Sequence, residues 1–325
     1  MRNRTLVCII VIFIIPLNSM AFKVDSTLSA PSIDTVKRWK FKSLSLVSVA
    51  QNAFVNWSAG GESSLTGKAA VDYNLKYKKD NFTFDHSANL VYGLVGYVDK
   101  RVEKTNDKLN LAVAFSHQVT KNWSLTNLLT LKTQFADGFK YPNDTTLISG
   151  FFAPAYITVS FGLNYKPNDK FQVFLSPISG KMTFVINDEL ANKGSYGVKK
   201  AIVDTLGNII QPGEHFLGEV GLSVVSSYNA EVMKNIKLNT ALTLHNNYLD
   251  LDKYNRWKVD VDFDTRVVFS INHIFATILY LHLKYDHNTL FPNYKDVDGV
   301  EVEISQSPRL QINESFGLGV TYQIK

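Results

Sequence analysis

Cysteine is all but missing from this 325-residue chain. The single one, Cys8, lies inside an apolar run near the start, so everything after that run lacks a thiol. Disulfide staples, thiolate metal sites and cysteine nucleophiles are thereby excluded from the body of the protein. Charge is also scarce, with 19% Asp, Glu, Lys and Arg against the ~25% usual in soluble domains. The net charge of +5 is dispersed along the chain, which argues against a nucleic-acid partner and against a polybasic membrane anchor. Beyond residue 21 no stretch approaches 18 consecutive apolar residues, so membrane-spanning helices are excluded as well. Aromatic residues, in contrast, reach 12%. Apolar surface is therefore abundant, but it has to be spread through short alternating segments.

The first residues carry a transport signal. Arg2 and Arg4 precede the apolar run Leu6 to Leu17, and Ser19, Met20 and Ala21 follow as small-x-small. That order describes a secretory signal peptide over residues 1–21, cut after Ala21, and the run is shorter than the ~20 residues a spanning helix needs. Cys8 is too far from the cut to be the lipid-bearing residue of a lipoprotein. Residues 22–38, with Ser26, Ser29, Pro31 and Ser32, are polar and unpatterned and read as a flexible lead.

From Trp39 to Lys325 the dominant period is two. Trp257, Val259, Val261, Phe263, Val267, Phe269 and Ile271 share one face, while Lys258, Asp260, Asp262, Asp264, Arg266, Ser270 and Asn272 share the other. Only a strand separates these sets, because side chains alternate across its two faces. About twelve such segments recur, near 40–53, 65–79, 81–97, 108–119, 123–136, 155–166, 170–187, 215–229, 236–248, 257–271, 275–287 and 308–325. The seventh, interrupted by Pro177 and Gly180, reads as a kinked strand or two short ones.

The links alternate in length. Tight turns are expected at Asp80, Lys121, Asn168, 230–235 and 272–274, and long links at 54–64, 98–107, 137–154, 188–214, 249–256 and 288–307. Segments long enough to cross a bilayer, aromatic residues such as Trp39, Trp123, Tyr248, Trp257 and Tyr322 near their ends, and short turns on one side describe an antiparallel transmembrane β-barrel of about 12 strands, with 10 to 14 allowed, short periplasmic turns and long extracellular loops. A soluble β-sandwich also alternates, but its strands are shorter. The last segment, Phe316, Leu318, Val320, Tyr322 and Ile324 against Gly317, Gly319, Thr321 and Gln323, matches a terminal strand read by the barrel-insertion machinery, with Lys325 where an aromatic residue is usual.

Several motifs in order, Asn56-Trp57-Ser58-Ala59-Gly60-Gly61-Glu62-Ser63-Ser64-Leu65, Thr133-Gln134-Phe135, Ala153-Pro154-Ala155-Tyr156 and Leu175-Ser176-Pro177-Ile178-Ser179-Gly180-Lys181, give a chain that resembles an uncharacterised domain-of-unknown-function family of Bacteroidota outer-membrane barrels. The resemblance implies location and fold, and it brings no activity with it.

Candidate chemistry is correspondingly thin. Asp260, Asp262 and Asp264 stand about 7 Å apart along one face, too far to converge on one cation; with Arg266, His282, Lys284 and Asp286 they read as a charge-paired lumen wall. On that reading Arg in place of Asp262 is tolerated. His245 joins the inner face without a nucleophile to serve, so no catalytic, cofactor or metal residue is assigned. Asn56, Trp57, Gly60, Gly61 and Glu62 form a candidate loop motif, with a constrained turn as the plainer account. Expected partners are outer-membrane lipids, the insertion machinery and other outer-membrane proteins. Three roles follow: a narrow pore or transport barrel, a structural or adaptor subunit, and, less favoured, a membrane hydrolase. The discriminating feature is whether loop 188–214, with Gly194, Gly197, Gly207 and Gly213, fills the lumen. The mature chain is expected to start at Phe22, which N-terminal sequencing of the membrane fraction checks; retention of Met1 contradicts the export reading.

Overall fold

A computed structural model describes residues 38–52, 62–98, 101–250, 252–272, 275–297 and 300–324. The proposed signal peptide, the lead and Asn56, Trp57, Gly60 and Gly61 of the loop motif lie outside the described residues. Twelve strands among the described residues form one antiparallel ring: β1 Trp39–Asn52, β2 Ser64–Lys79, β3 Phe82–Tyr97, β4 Val102–Gln118, β5 Trp123–Thr133, β6 Ala155–Tyr165, β7 Phe171–Phe184, β8 Phe216–Met233, β9 Ile236–Asn246, β10 Val259–Ser270, β11 Phe275–Tyr285 and β12 Gln311–Ile324. Each pairs with the next, and β12 returns to β1 from Ser43 opposite Ile324 to Ser48 opposite Gly319. The ring is closed, so the sheet ends in no free edge. No helix among the described residues is long and apolar enough to cross a membrane.

Register assigns the faces. Asp262 stands opposite Thr243 and Lys284, while Phe263 stands opposite Leu242 and Leu283, so the polar set of each strand points into the ring and the apolar set out, as the period-two pattern anticipates. The outer face stays uncovered: Val47, Val49, Leu129, Val159, Phe161, Ile178, Leu318 and Phe316 are all exposed. An apolar belt of that extent is not left to water. At the end where the turns are tight, Trp39 packs on Tyr77 with centroids 4.8 Å apart, Phe84 on Phe115 at 5.2 Å and Trp123 on Tyr165 at 4.7 Å. These pairs form an arc of an interfacial girdle.

The structure corrects several boundaries. The long link expected at 98–107 is a tight connection, closed by the Tyr97 N–H donating to the Arg101 carbonyl at 2.9 Å. Strand β4 begins at Val102 and takes in Glu103 to Asp107. These residues are polar on both faces because they stand beyond the apolar belt, where ladder bonds continue without a lipid-facing side. Likewise β8 runs to Met233 and turns at Asn235, which takes φ +65°. The seventh segment is one strand, and register shifts against both neighbours absorb Pro177. Three expected loops carry structure of their own: Gly138–Phe139 pairs with Leu147–Ser149, Ile202–Val203 with Ile209–Gln211, and Leu290–Val297 with Val300–Pro308.

Facing has a measurable consequence at mid-strand. Leu242→Arg, on the outer face, is expected to destabilise the barrel by about 2–4 kcal/mol in lipid. Thr243→Lys, turned inward beside Asp262, is expected to cost less than half of that. Urea titration in vesicles reads both, and equal losses contradict the assignment of faces.

Candidate functional site

Alternation along β10 sends Asp260, Asp262, Asp264 and Arg266 into the lumen. What they meet is decided by the ring. Asp260 receives Lys181 of β7 at 2.9 Å, Asp262 receives Lys132 of β5 at 2.8 Å, Asp264 receives Lys108 of β4 at 3.0 Å, and Arg266 reaches Asp72 of β2 at 2.6 Å. In the ring of twelve, β4 and β10 are six strands apart, so the Lys108–Asp264 contact joins opposite walls. Four successive inward positions of one strand thus pair with four different strands, and the result is a ladder of ion pairs across the interior.

Hydrogen bonds from β11 support the rungs. His282 Nε2 lies 2.9 Å from Asp262 Oδ1, and the Tyr280 hydroxyl donates to Asp264 at 2.5 Å and receives Lys108. Lys284 donates to the Tyr156 hydroxyl at 3.3 Å and stands 4.5 Å from that ring's centroid. Asp260, Asp262, Asp264, Arg266, His282 and Lys284 share the inward parity of their strands, and Asp286, just past β11, lies 3.9 Å from Lys181. Arg at position 262 would confront Lys132, which weighs against the tolerance expected there. Glu62, from the loop motif, pairs with Arg101 at 3.1 Å and lies apart from the ladder.

The rungs differ in exposure. The side chains of Asp264 and Lys132 remain 39% and 38% exposed, whereas Lys181, Glu219 and Asp286 retain 11%, 1% and 6%. Side chains in the middle of the lumen keep more open space around them than those at its loop-side end. There one cation serves three carboxylates, since Lys181 lies 2.9 Å from Glu219, 2.9 Å from Asp260 and 3.9 Å from Asp286. His245 is buried beside this cluster, and its Nε2 has no hydrogen-bond partner.

The loops pack at this end of the ring. Ala153, Val185, Leu190, Ala191 and Val198 form an apolar core with Leu147, Tyr196 and Leu217 packed against it. Leu217 pairs with Thr183 on the inner face, so this core sits in the mouth of the ring. Asn187 caps the short helix Asp188–Asn192 by accepting from the Leu190 N–H. The Tyr196 hydroxyl donates to the Ile148 carbonyl, and burial, then the nearby Tyr156 phenol, pushes the Tyr196 phenol above its ordinary range. Gly197, at φ +86°, lies so close to the 286–310 loop that a Cβ there would stand 2.7 Å from that of Asn288. Asn288 in turn donates to Glu219 at 3.0 Å. Loop 188–214 thus meets the 286–310 loop at a contact where any side chain at position 197 would clash, on a backbone conformation that L-residues rarely adopt.

Sequence reasoning missed Lys132, Lys181 and Glu219 as partners. Their inward parity is legible in the alternation of their strands, but which wall faces which depends on ring size and closure.

The family described as "Protein of unknown function (DUF3078)" matches residues 49–139. No curated protein matches the chain. Among solved structures, the NanC porin aligns over 86% of this chain and 100% of its own at 8% identity, with a TM-score of 0.35. An outer membrane channel from Pseudomonas putida F1 aligns over 87% and 93% at 12% identity, TM-score 0.35. The P. putida toluene transporter TodX aligns over 89% and 80% at 13% identity, TM-score 0.34. The assignment of fold rests on the pairing of this chain's own strands.

The buried cluster is asymmetric, and its variants are expected to be so too. Lys181→Met leaves three carboxylates without their cation and is expected to cost about 3–5 kcal/mol. Glu219→Gln leaves Lys181 with Asp260 and Asp286 and is expected to cost much less. Chemical unfolding in detergent checks the order, and the double variant is expected to recover part of the loss.

Proposed function

We propose that this chain is an outer-membrane barrel with a sealed lumen, exported through its N-terminal signal and acting through its faces and loops as a structural or adaptor subunit, within the Bacteroidota barrel family it resembles. The observation that carries this reading is the loop-side cluster. Lys181, Glu219 and Asp286 are closed off from water beneath the loop core, at a level that any solute crossing the lumen has to pass. The outward apolar belt and the girdle of Trp39, Tyr77, Trp123 and Tyr165 support seating in a bilayer, and the barrel-insertion machinery is the expected partner during assembly. We assign it no catalytic step.

A second reading, a narrow transport barrel that opens, is favoured by one feature: water reaches Asp264 and Lys132 in the middle of the lumen. Conductance separates the two. The purified barrel, with insertion verified by protease protection of its tight turns, is expected to give no stepwise current in a planar bilayer. Sustained current steps from the inserted protein overturn the sealed-barrel reading and restore the transport one.

A further inference from the structure

The link between β9 and β10 divides its cations between the two sides of the wall. Lys258 turns inward, where its ammonium lies 3.0 Å from His287 Nε2. Lys253 and Arg256 stay on the outside and line an open groove of about 690 Å³ at the loop end. The floor of this groove is apolar: Leu222 of β8 and Val259 of β10 point outward, and Tyr248 and Trp257 stand beside them. Trp257 is 88% exposed, a large indole with nothing of this chain over it.

The two cations have no carboxylate to answer among the described residues. Arg256 uses Nε to donate to the Asp250 carbonyl at 2.8 Å, which fixes the guanidinium plane and leaves its two terminal nitrogens for something else. Lys253 makes no ion pair. Asp250 and Asp252, the acidic residues of the same loop, are spent locally: their carboxylates accept from the backbone of Asp252 and Tyr254. The loop thus sets two unpaired positive groups directly above an apolar floor that continues into the membrane-facing wall.

We infer that this groove binds one phosphate-headed lipid, the phosphate held between Lys253 and Arg256 and an acyl chain lying against Trp257, Leu222 and Val259. An arginine whose fork is already oriented suits a phosphate, with two oxygens accepting from one plane. Trp257 suits the level where headgroup meets hydrocarbon. A partner protein would have to bring both an anion and an apolar anchor to the same 690 Å³ groove; a phospholipid carries both in one molecule, in the arrangement of the groove. The inference rests on the reading that the outer wall faces lipid.

The test uses the full chain in phosphatidylcholine nanodiscs containing a small fraction of phosphatidic acid, with native mass spectrometry counting the lipids that stay bound. The wild-type protein is expected to retain one phosphatidic acid with roughly thirtyfold preference over phosphatidylcholine, the product of two cation–phosphate contacts. Lys253→Gln is expected to lower that preference roughly fivefold, and Lys253→Gln with Arg256→Gln to remove it while the barrel still inserts. Retention of phosphatidylcholine as readily as phosphatidic acid overturns the proposal, as does a double variant with the preference intact. Displacement of the bound lipid by inorganic phosphate alone shows a free anion site and overturns the lipid assignment. Failure of the wild-type chain to enter the nanodisc overturns the membrane reading itself, an outcome distinct from these.

Discussion

Closure of the ring by hydrogen bonds is the constraint on which everything else depends. Inside hydrocarbon an unpaired peptide group costs several kcal/mol, and a sheet meets that demand only when its last strand finds its first. Here Ser43 to Ser48 meet Gly319 to Ile324. The seam is shorter than any other pairing in the ring, and Lys68 of β2 reaches past β1 to Ser315 of β12 at 3.4 Å, so a side chain spans the place where the backbone ladder is briefest. Once the ring is closed, two faces exist with opposite demands. The outer one is mostly apolar over its middle, with Asn127 and Thr265 among the few polar residues on it, and the inner one has to satisfy whatever charge the strands bring into it.

That inner demand is met by pairing across space rather than along a strand. Three aspartates at alternate positions of β10 repel one another, and their own strand offers only Arg266. A barrel of twelve strands is narrow enough for lysines on the far wall to reach them, and each rung neutralises one carboxylate with one ammonium from a different strand. The arrangement ties β2, β4, β5 and β7 to β10 and so resists flattening or widening of the ring. At the loop-side end the pairing changes, because one lysine faces three largely buried carboxylates. There the 286–310 loop supplies donors: the Asn288 N–H to the Asp286 carboxylate, the His287 N–H to Asp260 and the Asn288 side chain to Glu219.

The loops are consequently part of the lumen rather than an ornament on it. The apolar core around Val185, Leu190 and Val198 has no counterpart in the alternating pattern of the strands, since it joins Leu147 and Ala153, the 185–198 stretch and Leu217, which meet only after the barrel brings their roots together. At the same end of the ring Glu219 and Asp286 are buried. On the outside, the same local logic sends Lys258 inward and leaves Lys253 and Arg256 outward, so that one loop contributes both to the seal and to the external rim.

The period-two pattern by itself determined the strands, their faces and the all-β closed architecture, because alternation is a local property and a bilayer on one side with polar groups on the other leaves it a single solution. It likewise put Asp260, Asp262, Asp264, Arg266, His282 and Lys284 on one parity of their strands. It could not show that β4 extends back to Val102, where both faces are polar and the alternation disappears although the backbone ladder continues. Nor could it name Lys108, Lys132 and Lys181 as the partners of the three aspartates, since opposition across a ring depends on strand number, stagger and closure taken together. Which loops meet at the mouth of the lumen was decided only by the tertiary structure: Leu217, Tyr196, Gly197 and Asn288 are ordinary in sequence and come together only through contacts between loops whose meeting the barrel enforces.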